Sequence, residues 1–296
     1  MNGKNRKPLL TVFTPTYNRE RLLQRVYASL REQTDKNFIW LIVDDGSSDG
    51  TREQVERWQS EADFEIRYVY QENGGKMRAH NRGVERTETE LFVCLDSDDC
   101  LTRNAVERLC QIWRDIPERD QGRYAGLIAY KGRDEEYTLN GECFPKLLED
   151  SLTGLEQKGF HGETVLVFRT EVLRQFLFPE FPGEKFVPEA VVYDRIDQKY
   201  LYKVVPEIFM ICEYQADGLT RQIQTLREKN PHGWLLYYQQ RIRQSHRTLL
   251  RYKYVVHAEC FARQLHLPVR QVVPGTWLEC LIAFPAALLL RMMGKL

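Results

Sequence analysis

Through the first hundred residues, short apolar runs alternate with amphipathic segments, and few folds accommodate that order. Residues 9–14 (LLTVFT), 38–43 (FIWLIV), 64–70 and 91–95 (LFVCL) read as strands. Between them, residues 19–33 carry Leu22, Leu23, Val26, Ala28 and Leu30 at helical spacing. Ser48 or Asp49 is placed to cap a helix bearing Val55 and Trp58, and residues 77–85 read as a third helix. The order β-α-β-α-β-α-β with short connections predicts an α/β fold, a mostly parallel sheet covered by helices. Such sheets bind ligands at the carboxyl ends of their strands, where the three most unusual loops fall.

Residues 101–220 are less regular, with a helix over 103–113, strands over 126–130 and 164–169, and a helix from Glu189 after a Pro-rich stretch. The chain has 296 residues, 43% hydrophobic and 28% charged, which excludes wholesale disorder and collagen-like or coiled-coil folds. Its 42 basic and 42 acidic residues cancel, but not evenly: residues 221–296 hold twelve Lys/Arg and three Glu, a net of +9. Residues 1–220 therefore hold thirty and thirty-nine, a net of −9. This shift sets a domain boundary near 220, between an acidic α/β body (1–220) and a basic, mainly helical extension (221–296). It points to an anionic partner for the extension.

Seven cysteines without a CxxC pair argue against a disulfide framework or a zinc cluster, and fit a reducing cytosol. Residues 1–8 lack the apolar stretch of a signal peptide. The longest apolar run, residues 281–290, is interrupted by Pro285. A bilayer span needs about 20 residues. The expectation is a cytoplasmic protein, peripheral on the cytoplasmic face of a membrane.

Three loops carry candidate chemistry. Thr14-Pro15-Thr16-Tyr17-Asn18 follows a strand and precedes a helix, which suits a nucleoside and its phosphates, or serves as a turn with Asn18 or Thr16 as cap. Asp44-Asp45-Gly46-Ser47-Ser48-Asp49-Gly50 sets two adjacent carboxylates at a strand end, a ligand site or turn chemistry. Asp96-Ser97-Asp98-Asp99 packs three carboxylates into four residues after a buried run. A divalent cation with hard oxygen ligands, Mg²⁺ or Mn²⁺ shared with substrate phosphates, would relieve that repulsion. The plainer alternative is an exposed acidic turn. Between these loops, Gly74, Gly75, Lys76, Arg78 and Arg82 are suited to a diphosphate, while the GxGxxG fingerprint of dinucleotide folds is absent.

Taken in order, these motifs resemble the inverting family 2 glycosyltransferases of the GT-A fold: TPTYNR, Asp-Asp-Gly-Ser, Asn-x-Gly with Ala-x-Asn-x-Gly, and an apolar run ending in Asp-x-Asp-Asp. The resemblance covers residues 8–110 closely and 160–220 more loosely. It implies a Rossmann-like sheet flanked by helices. Tyr17 and Asp45 would hold the base, Pro15 would supply a backbone contact, and Asn18, Lys76 and Asn81 would join the nucleotide site. Asp96 would touch the ribose, and Asp98 and Asp99 the metal. His80 stands where many relatives carry Arg. The family's base precedes a helix, six residues before an Arg. The matching segment is Phe186-Val187-Pro188-Glu189-Ala190-Val191-Val192-Tyr193-Asp194-Arg195, so Glu189 takes the catalytic place, with Glu184 and Asp194 as fallbacks. The resemblance implies transfer of one sugar from a nucleotide-diphosphate sugar, with uridine preferred, to a hydroxyl of a glycan or lipid-linked acceptor in cell-surface polysaccharide synthesis. The Gln-x-x-Arg-Trp signature of processive synthases is missing. A metal-dependent nucleotidyltransferase and a non-catalytic membrane-associated scaffold are the competing classes.

In the extension, Arg243, Arg247 and Arg251 recur every four residues, as on one helical face, among Trp234, Tyr237, Tyr238, Tyr252 and Tyr254. No RNA-binding motif accompanies them, so no nucleic-acid partner is expected. Residues 277–296 resemble an interfacial segment, Trp277 at one end and Arg291 and Lys295 at the other, suited to an anionic membrane or to packing in a homo-oligomer.

Overall fold

The computed structural model describes residues 7–213, 223–245 and 248–293. The chain divides into two compact units, residues 1–177 with 193–214, and residues 178–192 with 215–296. The boundary expected near 220 lies outside the described residues.

The first unit is built on β1 (Leu10–Thr16), α1 (Glu20–Arg31), β2 (Phe38–Asp44), α2 (Thr51–Glu61), β3 (Glu65–Tyr70), α3 (Lys76–Arg86) and β4 (Leu91–Cys94). It continues through β5 (Cys100–Leu101), α4 (Ala105–Asp115), α5 (Glu118–Gln121), β6 (Tyr124–Gly132), β7 (Glu149–Asp150), α6 (Leu152–Gln157), β8 (Thr164–Arg169) and α7 (Thr170–Gln175). Then follow α8 (Ala190–Asp197), whose first residues fall in the second unit, and β9 (Leu201–Ile211). The sheet runs β3-β2-β1-β4-β8-β6-β9-β5, with β7 on β9. β1 to β4 pair in parallel, and β8 runs antiparallel between β4 and β6, which returns β6 to the direction of β4.

Every residue of β1 and β2 is buried, as expected of central strands covered on both faces. Edge strand β3 buries only Ile66. Tyr27, Trp40 and Trp58 stack between α1, β2 and α2, with centroids 4.4 Å apart for Tyr27 and Trp58 and 5.7 Å for Trp40 and Trp58. Trp40 Nε1 donates to Thr14 Oγ1 at 3.0 Å, which fixes the end of β1. Gly83 lets α3 lie on β1, because a Cβ there would meet the Phe13 ring at 2.4 Å. Parallel strands with their helices thus bring the ends of β1, β2 and β4 to one sheet edge.

The second unit is helical: α9 (Ile223–Lys229), α10 (Pro231–Gln244), α11 (Thr248–Gln264), α12 (Val269–Val272) and α13 (Trp277–Met292). Trp234 and Tyr238 are core residues here, packed with Phe261, rather than exposed stacking surfaces. The single basic face expected for Arg243 and Arg251 does not form: α10 stops at Ser245, which is extended, so the two arginines sit on different helices. Arg247 and Lys295 lie outside the described residues. Among the described residues, no helix is long and apolar enough to cross a membrane.

Candidate active site

The loops after β1 and β2 are laced together. Asn18 adopts a left-handed conformation (φ 52°), which Asn tolerates better than most residues. Its N–H donates to Ser47 Oγ at 2.8 Å, and its Oδ1 accepts from the Ser48 N–H at 2.8 Å. Asp49, rather than Asn18 or Thr16, supports the start of α1, accepting from the Glu20 N–H at 3.1 Å. The same carboxylate accepts from the Thr51 N–H and hydroxyl at the start of α2. Tyr17 is left 49% exposed beyond the strand end, while Pro15 is buried in the ladder opposite Val43.

Asp45 is buried, and its oxygens accept from the Gly74 and Gly75 N–H groups (2.8 and 2.7 Å), Gln71 Nε2 (2.7 Å) and Asn73 Nδ2 (3.2 Å). An ionised carboxylate offers about four acceptor sites, and chain donors occupy all of them. Asp45 therefore organises the glycine pair at the start of α3. Gly46 is required where the two loops meet: its φ is +89°, and a Cβ would approach the Asn73 nitrogen to 2.8 Å.

Lys76, the first residue of α3, grips Asp96 through both oxygens, at 2.9 and 3.0 Å. Burial alone would raise the Asp96 pKa, but Lys76 and Lys131 outweigh it and hold the carboxyl below its ordinary range. Asp98 is half-buried, and burial together with the negative Asp96 raises its pKa. Asp99 turns inward, with Lys131 Nζ at 3.5 Å; burial pushes its pKa up to about 6 against the pull of Lys131. Asn81 is buried on α3. His80 packs edge-on against Phe13 and Phe92, and burial lowers its pKa to about 3, so this face of α3 is neutral and aromatic.

Sequence reasoning missed Lys131 and Gln71. The signal for Lys131 is a lone lysine ending the apolar run Tyr124–Gly132, a charge with no place in a core strand unless a carboxylate awaits it. Among the described residues, no three His, Cys, Asp or Glu side chains form a metal cage. The oxygen donors of Asp96 and Asp98 instead fit a hard divalent ion whose shell is shared with phosphates and water.

Glu189 belongs to the second unit, exposed and immediately before α8. Glu184, in the same unit, is buried and accepts from the His232 and Gly233 N–H groups (2.8 and 3.0 Å) and sits 2.7 Å from His232 Nδ1, which ties it to the first turn of α10. Asp194 is buried within α8.

An acidic cluster, a lysine and a glycine-led helix start thus gather at the carboxyl edge of parallel strands, the arrangement that the resemblance to the GT-A glycosyltransferases leads one to expect. Residues 11–175, more than half of the chain, match the family described as Glycosyl transferase family 2, and the chain belongs to that family. It is 30% identical over 219 residues to a GalNAc(5)-diNAcBac-PP-undecaprenol beta-1,3-glucosyltransferase of Campylobacter jejuni, covering 72% of this chain and 67% of that protein. It is 29% identical over 177 residues to an uncharacterized glycosyltransferase of Nostoc sp., covering 58% of this chain. The match spans about half, 54%, of the Nostoc protein's length. The fold is shared with S. aureus TarS in complex with UDP (TM-score 0.57, 18% identity, 85% of this chain and 70% of that one). It is also shared with the Pyrobaculum calidifontis mannosyltransferase PcManGT in complex with GDP-Man and Mn2+ (TM-score 0.56, 19% identity, 97% and 81%). The chain is thus a member of glycosyltransferase family 2 with the GT-A fold.

Proposed function

We propose that this glycosyltransferase moves one sugar from a nucleotide-diphosphate sugar, with uridine the preferred base, to a hydroxyl of a glycan or lipid-linked acceptor, inverting the anomeric carbon, in cell-surface polysaccharide synthesis. The observation that carries it is the Lys76–Asp96–Asp98 cluster at the shared edge of β1, β2 and β4. Tyr17 covers the base, while Asp45 and Asn18 shape its pocket through the loops they brace. Pro15 lends its backbone, Asn81 steadies α3, and Asp96 meets the ribose. A Mg²⁺ or Mn²⁺ at Asp98 would neutralise charge on the departing diphosphate. Asp99, drawn to Lys131, holds the acidic loop and would be the second carboxylate available to the ion. Lys76, beside Asp96, would add positive charge toward the diphosphate. Glu189 takes the acceptor's proton as the oxygen–carbon bond forms and the carbon–phosphate-oxygen bond breaks.

The membrane is the proposed partner of the second unit. On α13, Leu281 (59%), Ile282 (57%) and Leu289 (57%) are exposed, while Cys280, Ala283 and Ala287 are buried. With Trp277 exposed at one end and Arg291 at the other, this helix suits shallow insertion at an anionic surface, where a lipid-linked acceptor resides. The test of function is nucleotide release from UDP-glucose, UDP-galactose, their N-acetylamino counterparts and GDP-mannose in Mn²⁺, with glycoside acceptors present. Release of nucleoside diphosphate with a glycosylated product is expected. Pyrophosphate release from sugar phosphates, with no glycosyl product, would identify a nucleotidyltransferase instead.

A further inference from the structure

A depression of about 270 Å³ opens in the first unit between β6, β8 and α6, lined among others by Ile128, Leu155, Glu156, Phe160, His161 and Thr164. Its position follows from strand register. Val93 of β4 lies opposite Val167 of β8, and β8 runs antiparallel to β4, so Thr164, the first residue of β8, lies toward the carboxyl end of β4 that leads into the acidic loop. Neighbouring strands are about 4.8 Å apart. Thr164 pairs with Tyr130, and Ile128 with Leu166, so Ile128 and Thr164 lie on one sheet face. By alternation, Phe92 shares that face, opposite the one where Val93, Val165 and Val167 join the main core. α8 covers the same face, with Tyr193 against Phe168 at 5.4 Å. It is tied to α6 by the Thr153 N–H donating to Asp197 Oδ2 at 2.7 Å.

We infer that this depression is a subsite for one pyranose ring of the acceptor. The inference rests on the glycosyltransferase reading and extends it to the second substrate. The volume lies below the roughly 300–1,000 Å³ of drug-sized sites, which fits one ring rather than an oligosaccharide. Ile128, Leu155 and Phe160 are buried and close the floor of the depression, and Glu156 and His161 stand exposed at it. Glu156 accepts, while Thr164 and His161 both donate and accept, a set that matches hydroxyls, which also do both. The lining holds a carboxylate and neither Lys nor Arg, so it disfavours phosphate and separates this subsite from the diphosphate site at Lys76.

The test uses the full chain and p-nitrophenyl glycosides of glucose, galactose, N-acetylglucosamine and N-acetylgalactosamine as probes, read by saturation-transfer NMR. A parallel titration follows UDP in Mn²⁺. At least one glycoside is expected to bind, and Glu156→Gln and Thr164→Val should each weaken it about tenfold with UDP affinity unchanged. Binding by none of the glycosides, or undiminished binding in both variants, overturns the subsite. Weakened binding of UDP-sugar relative to UDP in these variants would give the ring to the donor and also overturn it. Failure of UDP itself to bind the wild-type chain would instead defeat the donor reading, whatever the glycosides do.

Discussion

At the scale of single residues, the distinction between a side chain that holds the fold and one that does chemistry lies in its partners. Glu184 stands in a Pro-rich segment and Glu189 directly after it, and the family resemblance favours Glu189 as the base with Glu184 as a fallback. Glu184 satisfies two N–H groups at the start of α10, a structural use. Glu184→Ala should therefore destabilise the protein by about 1–3 kcal/mol, read by urea denaturation, with turnover per folded molecule kept. Glu189→Gln retains shape but accepts no proton, so turnover should fall about a hundredfold or more while donor affinity barely moves. Near-normal turnover in Glu189→Gln would hand the role to Asp194. Lys131 pairs with Asp99 in the interior, and Lys131→Met should cost about 3 kcal/mol by leaving a buried carboxylate alone. The acidic loop was legible in the sequence because three carboxylates within four residues are costly without a reason. Its lysine partner showed only as a lone charge ending the apolar run of β6, and which carboxylate it meets, a contact across the sheet, leaves no local pattern.

Elements were legible where burial is continuous or helical periodicity is strong. β1, β2 and β4 follow their apolar runs, and β8 coincides with the expected strand over 164–169. The break between α10 and α11 was not, since a four-residue arginine spacing survives a turn as easily as a helix. On α13, Thr276 and Glu279 form a reciprocal cap, and Arg251 reaches Glu279 at 2.6 Å. Those hydrogen bonds, the Arg251 one first, hold the Glu279 carboxyl down at about 2 from its ordinary 4.5. A depressed folded-state value means stability present above pH 4.5 and lost as pH falls toward 2. Melting temperature across that window should fall more steeply for the wild type than for Glu279→Gln. Parallel slopes would remove the pair from the stability of α13.

For the whole molecule, the charge division of −9 and +9 and the exposed apolar face of α13 are the two features on which the proposed membrane attachment rests. Each Lys or Arg near an anionic leaflet contributes about 1 kcal/mol, a share that salt screens, whereas apolar insertion persists. High salt should release only part of the protein from phosphatidylserine vesicles. Replacing Leu281, Ile282 and Leu289 together by Ser should release most of it without unfolding, since all three are exposed. Full-length protein remaining in solution at low salt would make α13 a packing surface. The architecture was legible as alternating elements, but the place of Glu184 and the depression beside β8 depend on contacts between distant segments. The central claim, a metal-assisted nucleotide-sugar site at the edge of β1, β2 and β4, is tested most directly by calorimetric titration of UDP into wild type and Asp98→Asn, each with and without Mn²⁺. The wild type should gain affinity from the metal and the variant, equally folded by circular dichroism, should not. Equal affinity for UDP in excess Mn²⁺ would contradict it.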